Sequence, residues 1–208
     1  MTNDIWGICC PGPSLALYQI QKLISLDNPF CLIAVNSAIL LVDFNFDYWA
    51  VQDIEVFETV LKKVDPHNIP KLYSTRLWVP SRWLTDIPAH YDPLNYHFQA
   101  FYKETFPADS NEDFNKIAPF AHHIIWREYT TFTAIALAII NGAKDIRLYG
   151  ADMAGKGYFI EGVENYRTRL DEKRWSNEHH WFECLVSECA ARGIILTRVG
   201  TNNRGDSQ

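Results

Sequence analysis

The sequence predicts an α/β fold with a mainly parallel central sheet, helices on both faces and an irregular, aromatic-rich insertion over residues 75–123. Three observations carry this reading. Short apolar runs alternate with helical patterns through the first third of the chain. An almost wholly apolar helix pattern, followed by another strand pattern, returns after residue 130. Between them lies a stretch that mixes Pro, Trp, Tyr and His without a clear period, as a functional lid or an insertion does. At 208 residues the chain is long enough for one substantial core, so a single domain, 1–208, is expected.

The elements follow in order. IWGICC (5–10) is a short buried strand. SLALYQIQKLISL (14–26) has apolar residues at helical spacing, with Ser14 as its N-cap, and DNP ends it. FCLIAV (30–35) and YWAV (48–51) are the second and third strands, and IEVFETVLKKV (54–64) is an amphipathic helix. KLYS (71–74) reads as a fourth strand. Strands separated by helices of this length imply right-handed βαβ units. Beyond the insertion, TAIALAII belongs to a buried helix stopped at Asn141–Gly142, and DIRLYG is a strand ending at Gly150. Residues 165–192 form a long polar helix closed by Gly193, and IILTRV (194–199) is the last strand.

Composition narrows the function. The 19 Lys and Arg against 25 Asp and Glu, a net charge of −6, disfavour indiscriminate nucleic-acid binding but permit a local basic patch. Five cysteines without CxxC spacing read as free thiols, with Cys9, Cys10 and Cys31 packed as small buried hydrophobes. No spaced ligand set suggests zinc, and Asp43 and Asp47 are too far apart for the close carboxylate pair of a metal-dependent glycosyl transfer. No metal is expected. No apolar run reaches the roughly 18 residues of a membrane span, and the N-terminus lacks a basic signal region, so a cytoplasmic chain is expected.

In an open parallel sheet ligands bind beyond the carboxyl ends of the strands. The residues there are Gly12, Pro13 and Ser14 after the first strand, Asn36 and Ser37 after the second, Gln52 and Asp53 after the third, and Gly150 and Asp152 after DIRLYG. PGPS suits phosphate or ribose, since Gly12 admits a ligand to the backbone and Ser14 opens a helix whose N–H groups favour anions. It is neither the Walker pattern nor GxGxxG, which argues against a dinucleotide cofactor. Thr131 and Thr133 open the buried helix and either cap it or touch a ligand. The polar helix carries Arg167, Arg169, Arg174, His179 and His180. It reads equally as a solvated charged face or as a cluster meeting phosphate. His179 or His180 has a suitable pKa for a general base.

Taken in order, PGPS, AVNS and TAIALAIINGAKDIRLYGADM resemble the bacterial sialyltransferases that transfer from a CMP-sugar, and the Rossmann-like group around them that includes 6-hydroxymethylpterin diphosphokinase-like proteins. The chain also resembles short proteins encoded by tailed phages and prophages, through the Gly-Pro-Ser turn, the LYGADMAG strand end and the RTRLDEKRW basic helix. The first resemblance implies a Rossmann-like fold and a metal-independent glycosyltransferase with a nucleotide-sugar as substrate and no cofactor. It places Gly12, Ser14, Asn36, Thr131 and Asp152 near the nucleotide. Tyr158 matches a tyrosine that assists the leaving phosphate, and His179 or His180 is the nearest match to the base on the acceptor. Pro11 stands where that family has Asn. The acceptor is open, with a hydroxymethylated DNA base as the candidate if the origin is a phage, and homo-oligomers are compatible with the chain. Two alternatives stand beside this reading: a nucleotide-dependent pyrophosphoryl or phosphoryl transferase, and a non-catalytic phage protein that keeps the nucleotide fold.

Overall fold

The computed structural model describes residues 5–41, 43–51, 53–63, 76–80, 97–101, 129–153, 158, 160 and 172–200. Strands β1 (Ile5–Cys9), β2 (Cys31–Val35) and β3 (Tyr48–Ala50) are connected through helices α1 (Tyr18–Asp27) and, after β3, α2 (Ile54–Lys63). Strands β4 (Arg76–Pro80) and β5 (His97–Phe101) follow. Helix α3 (Thr130–Ile140), strand β6 (Asp145–Tyr149), helix α4 (Glu172–Ala191) and strand β7 (Ile195–Val199) complete the described elements.

The strands form one sheet in the order β5-β4-β3-β2-β1-β6-β7, and every neighbouring pair is parallel. The chain therefore steps outward from β1 to β5, returns to the other side of β1 as β6, and steps outward again to β7. The reversal falls between β1 and β6. Right-handed crossovers that progress in opposite directions put their helices on opposite faces of the sheet, and the gap they leave at the strand ends is the topological switch point.

Side-chain alternation divides the core accordingly. Trp6, Ile8 and Cys10 face the layer containing α3 and α4, with Ile33, Val35, Ile146 and Leu148. Cys9, Leu32, Ala34, Trp49 and Tyr149 face the layer of α1 and α2. Cys9 and Cys10 thus point to opposite faces, as a two-residue period requires. All but Thr131 of the eleven residues of α3 are buried. The helix packs against β1, β2 and β3, and Ala134 and Ala138, one turn apart, are among its buried small side chains. Burying each of its Ile and Leu side chains stabilises the fold by about 1.5–3 kcal/mol.

Two expectations change in detail. Ser14 does not cap a helix over 14–26. Gly12 opens a four-residue 3-10 turn, Pro13–Ala16, and the α-helix begins at Tyr18 with Leu17 as its N-cap. The reason lies in the tertiary structure, where the Ser14 N–H donates to a carboxylate oxygen of Asp152, 2.9 Å away. The stretch 75–123 contains β4 and β5, two strands of the central sheet that the mixed composition concealed. The strand expected at 71–74 lies outside the described residues, as does the part of the polar helix before Glu172. Elsewhere the boundaries agree with the pattern: Asn28, in the left-handed conformation, ends α1, and Asn141 with Gly142 ends α3.

Candidate functional site

The carboxyl ends of β1 and β6 are joined beyond their ladder. The Cys10 N–H donates to the Tyr149 carbonyl (2.7 Å) and the Gly12 N–H to the Gly150 carbonyl (2.9 Å). A Cβ on Gly12 would fall inside contact distance of both the Gly150 carbonyl oxygen and the Asp152 carboxylate. Gly150 has φ +70, and a Cβ there would lie 2.7 Å from the Leu15 Cβ. The two glycines are therefore fixed by the approach of the two strand ends. Asp152 then supplies the negative charge that the turn attracts, through its bond to the Ser14 N–H. With the Leu15 N–H donating to the Gly12 carbonyl (3.0 Å), three amides of the turn are engaged inside the protein.

Among the described residues, the Ser14 Oγ and Asn36 Oδ1 are buried without a hydrogen-bond partner. Such atoms are uncommon in native proteins and call for an explanation. Asn36 takes φ +50 just past β2, and the Trp49 indole N–H donates to its carbonyl at 2.8 Å. Met153, beside Asp152, also has positive φ, at +46. A left-handed methionine costs on the order of 1–3 kcal/mol, and such strain concentrates at functional positions. The ends of β2, β1 and β6 are adjacent, so the row from Asn36 to Asp152 spans two strand spacings, about 10 Å, the width of a nucleoside.

Below this row lies Cys10. Its thiol is 3.7 Å from the Thr131 hydroxyl at the start of α3. Burial pushes the Cys10 thiol up to about 12, and the carboxylates of Glu178 and Asp152 add to the rise against the opposing bond from Thr131. Cys9 is also raised, by burial first and by Cys10 second. Neither thiol is poised as a nucleophile.

The expected site residues divide as follows. Gly12, Pro13, Ser14, Asn36, Gly150, Asp152 and Thr131 come together around the switch point. Ser37 is fully buried in the turn after β2, and Thr133 is buried with its hydroxyl directed to the Tyr129 carbonyl at 3.5 Å. Asp53 is exposed and opens α2, its carbonyl accepting from the Phe57 N–H at 3.1 Å. Tyr158 is partly buried. His179 and His180 are exposed on α4, where the His180 ring packs edge-on against Trp181. Gln52, Arg167 and Arg169 lie outside the described residues, and Arg174 is described only as part of the α4 backbone. Sequence reasoning passed over Glu178, which is 7% exposed. Its signal was helical spacing: Glu178, Phe182, Leu185 and Cys189 fall on one face.

The chain is a Rossmann-like α/β protein with its polar strand ends gathered around β1 and β6. Its fold is similar to that of the sialyltransferase CstII from Campylobacter jejuni in complex with cytidine-5'-monophosphate, at 18% identity and a TM-score of 0.59, over 96% of this chain and 81% of that one. It is also similar to the monofunctional alpha-2,3-sialyltransferase Cst-I from Campylobacter jejuni, at 13% identity and a TM-score of 0.57, over 97% and 78% of the two chains. A complex of CST-II with a trisaccharide acceptor and CMP matches at 17% identity and a TM-score of 0.57, over 95% and 82%. No protein-family model and no curated protein matches the chain.

Proposed function

We propose that the protein binds a nucleotide-sugar across the ends of β2, β1 and β6 and transfers its glycosyl group to an acceptor hydroxyl. The observation that carries this reading is the pair of partnerless buried oxygens, Ser14 Oγ and Asn36 Oδ1, at the switch point. The likeness in fold to sialyltransferases solved with CMP supports the choice of nucleotide and reaction class. In the proposed reaction a base takes the proton of the acceptor hydroxyl, whose oxygen bonds to the anomeric carbon. The bond from that carbon to the phosphate oxygen breaks, and the nucleotide leaves as the anion. His179 and His180 are open to an incoming acceptor on α4 and serve as candidate bases. Tyr158, with Arg167, Arg169 and Arg174, is assigned to the departing phosphate.

A thermal-shift screen with CMP, UDP, GDP, ADP and their sugars tests the binding step. A ligand at 100 times its Kd stabilises by about 2.7 kcal/mol, several degrees for a chain of this size. No shift with any of them overturns the proposal. Release of nucleotide from the bound sugar donor in excess chelator then tests the reaction without metal. A hydroxymethylated DNA base is the acceptor to try first if the chain is phage-encoded, and the absence of salt-sensitive DNA binding removes it.

A further inference from the structure

Helix α4 is held to the sheet by one face. Phe182, Leu185 and Cys189 are buried and belong to the core cluster that includes Ile146 and Leu148 of β6 and Leu196 of β7. That anchoring fixes the helix, and residues one turn apart on its open face are held as neighbours. Two of these are His180, which is exposed, and Cys184, which is partly buried. Their Nε2 and Sγ atoms lie 3.9 Å apart. The other four cysteines are buried, so of the chain's thiols only that of Cys184 is open to solvent.

A thiolate and a neutral imidazole are donors that suit cations of the zinc class. In a tetrahedral site, Zn–S of about 2.3 Å and Zn–N of about 2.0–2.1 Å put the two donors about 3.5 Å apart. The observed separation is slightly wider, and a small rotation of either side chain closes the difference. Because one helix presents both ligands already side by side, binding costs little ordering entropy. Glu188, one turn beyond Cys184, is tied to Arg192 and does not extend the pair. Among the described residues, no three His, Cys, Asp or Glu side chains converge to hold a metal. The pair leaves the remaining positions of a tetrahedral ion to water, which makes an exchangeable site and not a structural zinc centre.

We propose that His180 Nε2 and Cys184 Sγ together bind a thiophilic divalent cation of the zinc class. On binding, the thiol gives its proton to solvent as the metal–sulfur bond forms, and the imidazole lone pair makes the metal–nitrogen bond. No electron is transferred. The cation then holds the lone pair with which His180 would take the acceptor's proton, so it inhibits the transfer proposed above. That consequence rests on the glycosyl-transfer reading, whereas the site itself does not.

The probes are cadmium and zinc alone. Cadmium is titrated into the reduced full chain, and the ultraviolet thiolate-to-cadmium charge-transfer band is followed in the wild type, Cys184→Ser, His180→Ala and the exposed neighbour His179→Ala. Sites made only of histidine contribute nothing to this band. It saturates alike in the wild type and His179→Ala, is lost in Cys184→Ser, and needs about tenfold or more cadmium in His180→Ala. Zinc slows the reaction of Cys184 with a disulfide reagent, and the same protection in His180→Ala takes about tenfold or more zinc. No band in the wild type, a band that persists in Cys184→Ser, or equal affinity in His180→Ala and the wild type overturns the site. Should His180→Ala fail to fold, His180→Asn replaces it and is read in the same way. In the transfer assay, zinc inhibition that is equal in the wild type and Cys184→Ser overturns the blocking role alone. No turnover in chelator refutes the transfer reading, and the cadmium band still decides the site.

Discussion

Replacing Gly12 with alanine probes the closure of the switch point directly. The new methyl group would overlap the Gly150 carbonyl oxygen and the Asp152 carboxylate. The first of these is backbone and cannot swing aside. Relief requires the ends of β1 and β6 to part, which breaks the 2.9 Å bond from the Gly12 N–H to the Gly150 carbonyl. Overpacking of this kind costs about 1–3 kcal/mol, and the lost bond adds about 1 kcal/mol. A total of about 2–4 kcal/mol lowers the melting temperature of a chain this size by roughly 5–15 °C. Differential scanning calorimetry of wild type and Gly12→Ala reads this directly. The double variant Gly12→Ala/Asp152→Ala separates the two obstacles: it removes the carboxylate but not the carbonyl, so little stability returns. A single variant melting within about 2 °C of the wild type would refute the tight junction and the account of the site built on it.

Three other outcomes follow from buried groups. Stability falls as pH rises above about 8.5, because the unfolded thiols and, near pH 10, the unfolded phenol release protons that the native state retains. Cys10 and Cys189 are raised to about 12, chiefly by burial, and Cys9 and Tyr149 are also raised, so Cys189→Ala should flatten the alkaline limb of a denaturant-midpoint profile, and an identical slope counts against it. In native protein a disulfide reagent reacts rapidly with Cys184 alone, since the other four cysteines are buried; Cys184→Ser removes the fast phase, and rapid labelling of Cys10 contradicts its position under the sheet end. Tyr149→Phe deletes the buried hydroxyl that donates to Asp27 at 2.5 Å and leaves that carboxylate to Arg147, a loss of about 1.5–3 kcal/mol in urea denaturation, with a change under about 0.5 kcal/mol as the refuting result.

The framework was legible where one local rule decided the outcome. The apolar runs of β1, β2 and β6 and the all-round apolar pattern of α3 have no stable place except against one another, and Asn141–Gly142 can scarcely continue a helix. Strands β4 and β5 were not legible, because their Arg, Trp, Pro, His and Gln residues follow neither period cleanly. The site was legible as a list of strand ends but not as chemistry. Ser14 satisfies every local criterion for an N-cap, yet a carboxylate 138 positions along the chain takes its N–H. Glu178 was missed for a different reason. Charged residues on a polar helix are ordinarily solvated, and only its register with Phe182, Leu185 and Cys189 identifies the buried face.

That long-range bond changes what the turn can recognise. A helix start with free amides is an anion site because its positive end is unanswered. Here Asp152 answers it from within, and the helix proper begins four residues later at Tyr18. The junction is thereby a rigid wall beside two buried, unpartnered side-chain oxygens, and Asn36 and Met153 hold positive φ along the same row. Rigidity and acceptor character belong together: amides locked across β1 and β6 cannot turn toward a phosphate, while the hydroxyl and carboxamide oxygens they leave behind are fixed in place before any ligand arrives. A ligand that meets them with hydroxyl or amine donors loses little ordering entropy in the protein. A phosphate that sought the Ser14 amide would have to displace Asp152. The phosphate of a nucleotide bound here therefore needs partners other than these three amides, and for that part of the ligand the cationic segment around Arg167 and Arg169 is the place for mutagenesis to begin.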